Sequence, residues 1–317
     1  MADVLDRSRL FSTSRPIVRR SRLSLRAREE ITAYLLISPW ILGFLIFTVG
    51  ALIFSLAISF YQTDLLSPAK FVGLGNYHEM FFEDPLFWQA LKVTSLYTMG
   101  IVPLQVGLGL LIALLLNQRV VGLGVWRTIF YLPSVVSGVA VAMIWIWFLH
   151  PDFGLFNALL AKVGVQGPSW LYSEEWALPS LILMGIWNVG PGMLIFLAGL
   201  QSIPRELYEA AEIDGATAIH QFVYVTLPMI SPQILFNTVM GIIGSYQVFT
   251  ASFVMTQGGP NNATLTMVLY LYRHGFLMAR FGYASALSWV LFAIIMIFTL
   301  LTFRSSRSAV FYEGEPR

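Results

Sequence analysis

The carboxylates that could do chemistry are concentrated in one stretch, RELYEAAEIDGA at 205–216. It holds Glu206, Glu209, Glu212 and Asp214 against a single basic residue, Arg205. At 100° per residue, Glu206, Glu209 and Glu212 share one helix face and Leu207, Ala210, Ala211 and Asp214 another. The chemistry on offer is charge pairing. Carboxylates can take the arginines of another chain and fix a register, and alanines admit a close backbone approach. A solvated loop helix with surplus acid is the other reading the residues allow. Ser202 is placed to cap this helix, Pro204 to sit in its first turn, and Gly215 to stop it with a positive φ. A second helical stretch, ATAIHQFVYVTL, then leads to Pro228. Other chemistries are excluded by composition. There is no cysteine, which removes disulfides, thiol catalysis and Cys-ligated metals. The lysines are Lys70, Lys92 and Lys162, and none follows a glycine as a phosphate-binding loop requires, so any ATP must be held by another chain. No catalytic residue and no metal ligand set is expected.

The elements that must carry this acidic stretch are apolar. Hydrophobic residues make up 57% of the 317, charged residues 11%, and mean hydropathy is +0.71. Soluble domains carry roughly 25% charged residues, so this is an all-α integral membrane protein. A net charge of +2 argues against nucleic acid as a partner. Long charge-free gaps, such as the 33 residues between Glu30 and Asp64, mark the spans. They predict six transmembrane helices near 33–60, 94–117, 128–149, 177–201, 229–254 and 282–303. LTMVLYLY, after the turn-rich TQGGPNNAT, is too short to cross and reads as an interfacial or re-entrant piece. An even span count puts both termini on one side. The first 30 residues carry eight arginines and four acids, which makes that side cytoplasmic. The organisation expected is a basic arm over 1–30 resting on anionic lipid, a permeation domain over 31–305 and a short cytoplasmic tail over 306–317. The apolar run after the arm is too long for a cleaved signal peptide, and no A-x-A pattern follows it.

No Asp, Glu, Lys or Arg falls inside these spans, so the usual relays of a proton-driven carrier are missing. His78 and His274 fall in outer loops, His150 at a span end and His220 in a cytoplasmic loop, and all read as solvated. The span interiors offer neutral groups instead: Gln105 beside Pro103, Trp187 and Asn188 before a Gly190-Pro191-Gly192 break, and Asn237, Gly244, Ser245, Tyr246 and Gln247. Such groups either glue helices together or line a cavity for a neutral polar solute, with aromatic faces to stack on sugar rings. Asp84-Pro85 reads as a helix start, with Asp84 as cap. The aromatic residues Phe81, Phe82, Phe87 and Trp88 around it suit an interfacial helix.

EAAEIDGATAIHQFVYVTLP resembles the EAA loop of binding-protein-dependent ABC transporter permeases, matching at Glu209, Ala210, Ala211, Asp214, Gly215, Ala216, Phe222, Leu227 and Pro228. FVGLGNYHEMFFEDPLFWQAL and TQGGPNNAT resemble segments of the carbohydrate-uptake permeases of the maltose and glycerol-3-phosphate type, and favour the MalF-like partner. The likeness covers roughly 30–305. The large outer domain of the maltose-type protein is absent, and Val93 stands where that family has asparagine. The resemblance implies a type I ABC importer permease fold in a bacterial or archaeal cytoplasmic (inner) membrane. It also implies a second, MalG-like permease, two ATP-binding subunits that hold the ATP and magnesium, and an extracytoplasmic solute-binding protein. The 202–228 loop is then the coupling element seated in the ATPase, through Glu209, Ala210, Ala211, Asp214, Gly215 and Ala216. By position, Asn188, Gly244, Ser245, Tyr246 and Gln247 line the substrate pathway. A sugar is the expected cargo. A polyol such as glycerol-3-phosphate is the alternative within the same architecture, and an ATPase-independent secondary carrier or a membrane scaffold lies outside it.

Overall fold

The computed structural model describes residues 24–64, 66–118 and 121–306. They fall into two compact units divided after Phe54. The first unit is a rod. α1 (Leu25–Gly43) passes through a π-helical segment, Phe44–Gly50, into α2 (Ala51–Ile58), so that helix runs without a break from Arg26 to Ile58. Ser24 caps it, its hydroxyl accepting from the Ala27 amide at 3.2 Å. The most apolar stretch of the rod keeps none of its residues buried, and Trp40, Phe47 and Leu36 are all exposed. An apolar rod of this length meets the requirement for crossing a bilayer.

The second unit begins with the last residues of α2, followed by a short antiparallel ribbon, β1 (Tyr61–Gln62) against β2 (Lys70–Phe71), with Tyr61 opposite Phe71. α3 (Gly75–His78) follows, then the 32-residue α4 (Pro85–Leu116). The next apolar stretch is split into α5 (Leu123–Val135) and α6 (Gly138–Phe148), bent by 99°. α7 (Leu155–Lys162) leads to α8 (Glu174–Ile186) and α9 (Gly190–Ser202), bent by 46°. α10 (Arg205–Ile213) is short, and α11 (Ala218–Gln221) and α12 (Leu227–Met229) meet α13 (Ser231–Tyr246) at a bend of 63°. α14 (Met267–Tyr272) and α15 (Phe281–Ser306) complete the order. Among the described residues, three helices are long and apolar enough to span alone, or up to six spans by length and composition if each bent pair counts as one.

α4 is the axle of this unit, because its successive turns enter three separate cores. Phe87 and Ala90 pack with Leu269, Tyr283 and Leu287, and Tyr97, Ile101 and Val102 pack with Trp145 and Leu181. Ala113 and Leu116 pack with Phe196, Leu200 and Ile230. The expected span at 94–117 starts too late. The charge gap was opened at Lys92, but that side chain is exposed and the helix continues through it from Asp84. Asp84 does cap α4, accepting from the Leu86 and Phe87 amides at 3.0 and 3.4 Å. Of the aromatics around it, Phe87 is fully buried, while Phe82 and Trp88 are exposed.

LTMVLYLY, expected as an interfacial or re-entrant piece, forms α14, and its Met267, Leu269 and Tyr270 are buried in the first of these cores. Thr94 Oγ1 accepts from the Met267 amide at 2.9 Å and ties α14 to α4. His274 is not solvated: it is 6% exposed, with its ring 4.5 Å from that of Tyr270 and 4.6 Å from that of Tyr283. The expected arm over 1–30 lies outside the described residues as far as position 23, and the tail over 306–317 from position 307.

Candidate functional site

Three places in the second unit concentrate polar chemistry away from simple packing. The first is α10. Its carboxylates Glu206, Glu209, Glu212 and, just beyond the helix, Asp214 are all exposed. Among the described residues none of them lies within ion-pair distance of a cation; the ion pairs found are Glu79–Arg280, His78–Glu83 and His150–Asp152. Tyr208 and Ala211 form the less exposed side, and Tyr208 joins the core around Leu200 and Ile230. Ile213 is 88% exposed at the helix end. Two rows of the expected knob, carboxylates and alanine with isoleucine, therefore face outward together.

The helix ends as the glycine requires. Gly215 has φ +75°, its amide donates to the Glu212 carbonyl at 3.0 Å, and the Ala216 amide reaches back to Ala211 at 2.9 Å. That pair of bonds is a Schellman closure, for which a left-handed residue is needed and glycine is the unstrained choice. The start differs from expectation. Ser202 is the last residue of α9, its hydroxyl donating to the Gly199 carbonyl at 2.8 Å, and Pro204 stands at the cap position without a side-chain bond. The serine satisfies its hydroxyl one turn back in its own helix, so it is not free to cap the next one.

The second place is a cavity of about 690 Å³. Three interruptions of helix converge on it: Val136 and Gly138 between α5 and α6, Trp187 to Val189 between α8 and α9, and Gln247 to Phe249 after α13. Broken helices in a membrane are tolerated where they are buried in protein or line a cavity. The glycine at the second break is needed for packing: a Cβ on Gly190 would lie 2.5 Å from the Phe130 carbonyl oxygen. Among the described residues, no Asp, Glu, Lys, Arg or His lines the cavity. Its polar groups are the amides of Gln105, Asn188, Asn237 and Gln247 and the hydroxyls of Tyr97, Ser134, Ser245 and Thr250, set among Trp187 and Phe249. Several are partly engaged already. Gln105 Nε2 donates to the Gly185 carbonyl at 2.9 Å and Ser245 Oγ to that of Ile242 at 3.1 Å.

Of the five residues singled out in the fourth and fifth spans, Asn188, Gly244, Ser245 and Gln247 come together on this wall. Tyr246 does not. It is 2% exposed, its hydroxyl is hydrogen-bonded to Ser95 Oγ at 3.1 Å, and its ring stacks on Phe298 at 5.4 Å. One residue is 100° of helix, so neighbours of Ser245 face different surroundings. Ser134 and Thr250 were not anticipated. Ser134 follows Pro133, and a proline inside an apolar run was the available signal for it; Thr250 follows the break after α13 and has no Pro or Gly beside it.

A third polar cluster joins distant parts of the chain. Asp84 Oδ2 accepts from the hydroxyls of both Tyr270 and Tyr283. Beside it Arg280 Nη2 donates to both oxygens of Glu79, at 2.8 and 2.6 Å, and its guanidinium lies 4.7 Å from the centre of the Tyr283 ring. Burial, followed by the hydrogen bond to Asp84, pushes the Tyr270 hydroxyl well above its ordinary value. Burial, with Arg280 nearby, holds His274 below its ordinary 6.5.

Helices of spanning length around a charge-free cavity, with an acidic helix outside them, define a membrane permease component. Residues 105–309 match the family described as binding-protein-dependent transport system inner membrane component, and the chain belongs to that family. It is 43% identical to a probable ABC transporter permease protein, YesP, of Bacillus subtilis, over 91% of this chain and 94% of that one. It is 35% identical to the lactose transport system permease protein LacF of Rhizobium radiobacter, covering 90% and 98%. The arabinooligosaccharides permease AraP of Halalkalibacterium halodurans is also 35% identical, over 86% of each chain. Among solved structures, a chain of a bacterial alginate ABC transporter in complex with alginate pentasaccharide-bound periplasmic protein superposes with a TM-score of 0.77. It is 27% identical and covers 91% of this chain and 98% of that one. The chain is thus a transmembrane permease subunit of an ABC importer, an inner-membrane component and not itself an enzyme.

Proposed function

We propose that this chain forms half of the translocation pathway of an ATP-driven sugar importer. The other half is a second permease. Two separate ATP-binding subunits, which hold the nucleotide and magnesium, seat α10, and a solute-binding protein delivers the cargo from outside. The observation that carries the sugar assignment is the lining of the 690 Å³ cavity: amides, hydroxyls and aromatic faces with no charge. Neutral amides and hydroxyls can exchange hydrogen bonds with sugar hydroxyls, and aromatic faces cover their apolar C–H surfaces. A phosphorylated cargo would call for a cation, and this wall has none. The relatives named for lactose and arabinooligosaccharide transport support the same class.

The coupling assignment rests on α10. Its carboxylates have no partner among the described residues, and an exposed acidic face beside an exposed isoleucine suits a basic-rimmed apolar cleft. Glu209, Ala210, Ala211, Asp214, Gly215 and Ala216 would form that contact on the cytoplasmic side, with both termini there as well. Closure of the ATPases would then swing the spans between inward- and outward-facing states.

The test is reconstitution of the permease pair with its ATPase and binding protein in liposomes, followed by uptake of a panel of neutral oligosaccharides and of glycerol-3-phosphate. ATP-dependent uptake of an oligosaccharide is expected. It should fall when Gly244→Trp fills the cavity, since a Cβ at Gly244 meets nothing within 4 Å and the larger ring has only the cavity to occupy. Uptake of glycerol-3-phosphate alone would overturn the sugar assignment, and uptake without ATP would overturn the coupling assignment.

A further inference from the structure

α10 is joined to the membrane helices by backbone at both ends, and the two joints differ: Ile203 before it is packed into the core with Leu200 and Ile230, while the turn after it is exposed. Before it, Ile203 and Pro204 are extended, with ψ of 125° and 135°, and they are the only residues between α9 and α10. After it comes the Gly215 turn, with open space where a Cβ would be. The backbone hydrogen bonds at these ends stay local: Leu207 to Pro204, Asp214 to Ala210, Gly215 to Glu212 and Ala216 to Ala211. One side-chain bond reaches further. Tyr208 Oη and Thr226 Oγ1 are hydrogen-bonded at 2.9 Å, across 18 residues of chain.

The two ends of that bond sit in different settings. Tyr208 is the α10 side chain that enters the core holding Leu200 and Ile230. Thr226 is 5% exposed and closes a π-helical segment, Phe222–Thr226, that continues into α12. Ile230, fully buried, follows at the bend, and α13 then runs 16 residues to Ser245 and Tyr246, ending at the cavity wall. α10 therefore has two covalent routes to the cavity, through the extended Ile203–Pro204 link to α9, whose first residues also line it, and through the Gly215 turn, α11 and α12 to α13. The Tyr208–Thr226 bond bridges the second route past the Gly215 turn.

We propose that the Tyr208–Thr226 hydrogen bond is a positioning latch that makes α9 and α13 move together when α10 is displaced. This rests on the reading of α10 as the ATPase-coupling helix. Without the latch, displacement of α10 reaches α9 through the packed Ile203–Pro204 link but is taken up by the Gly215 turn, and α13 stays behind. Tyr208 and Thr226 touch no solute. They act through the helix they hold, as two groups of one network whose deletion effects should not add.

The chain has no native cysteine, so a single thiol reports on the cavity without further engineering of this subunit. In the full transporter carrying Gly244→Cys, the rate of labelling by a charged methanethiosulfonate is measured without nucleotide and after trapping with ATP and vanadate. With the latch intact the two rates should differ by about fivefold or more, the lower range of ordinary coupling between sites. Tyr208→Phe, which removes one oxygen, should bring the ratio close to one while the ATPase still co-purifies at the original yield. Thr226→Val should do the same, Thr226→Ser should keep the ratio, and the double variant Tyr208→Phe/Thr226→Val should be no worse than either single change. The Thr226 pair carries the test should Tyr208→Phe fail to accumulate. An unchanged ratio in Thr226→Val or Tyr208→Phe overturns the latch. Glu209→Lys separates the two ideas: if it leaves both ATPase yield and labelling ratio intact, the coupling reading itself fails. If it abolishes co-purification while the latch variants behave as the parent, only the latch does.

Discussion

Acidic residues gather in two regions of this permease, and they are used in opposite ways. Around Asp84 the carboxylates are answered from within the chain. Asp84 takes two helix amides and two tyrosine hydroxyls, and Glu79 takes both of its bonds from Arg280. On α10, four carboxylates lie exposed with no ion-pair partner among the described residues. An acid satisfied at home holds the fold. An acidic face left open beside an 88% exposed isoleucine is shaped for another molecule. The comparison separates structural from functional charge by asking where each group's hydrogen bonds go.

The largest effect that would break this contrast is charge reversal on α10. Glu209→Lys should abolish co-purification of the ATPase subunit while the permease remains in the membrane at its usual level and unfolds at its usual temperature. Gly215→Pro should also disrupt the contact, because proline cannot adopt φ +75° and the Schellman closure would open. Retention of the ATPase at full yield by both variants would place α10 with the ordinary solvated helices.

Next in size is Asp84→Ala. It removes a helix cap, worth about 1 kcal/mol. It also strips the buried Tyr270 and Tyr283 hydroxyls of their acceptor, at about 1–3 kcal/mol for each group left unsatisfied. The unfolding temperature of the purified subunit should fall markedly, with ATPase binding retained at permissive temperature. A loss of ATPase binding without any loss of stability would reverse the roles assigned to the two regions.

The two regions also differ in how far the chain reveals them. α10 is readable because its charge contrasts with everything around it and because glycine, alanine and carboxylate spacing is local. The Asp84 cluster is hidden, since its bonds close over 186 and 199 residues, and Tyr270 and Tyr283 read as ordinary aromatics in apolar runs. His274 looked solvated for the same reason, as its neighbours come from elsewhere in the chain. The cavity falls between these cases. Gly190-Pro191-Gly192 announces a break, and Asn188, Gly244, Ser245 and Gln247, singled out by position through the family resemblance, line one cavity. The 99° bend between α5 and α6 was not, because Pro133 alone does not fix an angle. Charge gaps located the long apolar helices but misplaced their edges, as Lys92 in α4 shows.

A smaller effect tests the same cluster by pH. His274 is buried and held below its ordinary value of 6.5, so the folded protein prefers it neutral. The groups that face it include Tyr270 and Tyr283 by ring contact, Arg280 repelling its protonated form, and Asp84 and Glu79 favouring it. The net shift is downward. The stability this contributes is therefore complete above pH 6.5 and declines as pH falls from there through the lowered value. The unfolding temperature should drop on acidification below pH 6.5, and His274→Gln should flatten that part of the profile. A profile equally steep in the variant would assign the acid sensitivity to other groups.

The smallest change is the one that most sharpens the contrast. Ile213→Ser replaces a side chain that is 88% exposed and packs against no core of this unit. Substitutions at such surface positions usually alter stability by no more than about 0.5 kcal/mol, so the isolated permease should unfold as before. If α10 is docked in an apolar cleft, however, that isoleucine is buried in the complex, and burying such a side chain contributes about 1.5–3 kcal/mol. Titration of the ATPase against permease in nanodiscs should then show affinity lower by roughly tenfold or more, since each 1.4 kcal/mol is a factor of ten. Unchanged affinity would leave the carboxylates as the sole grip and make the apolar edge of α10 incidental. Lowered stability without lowered affinity would mean that the residue serves this chain alone.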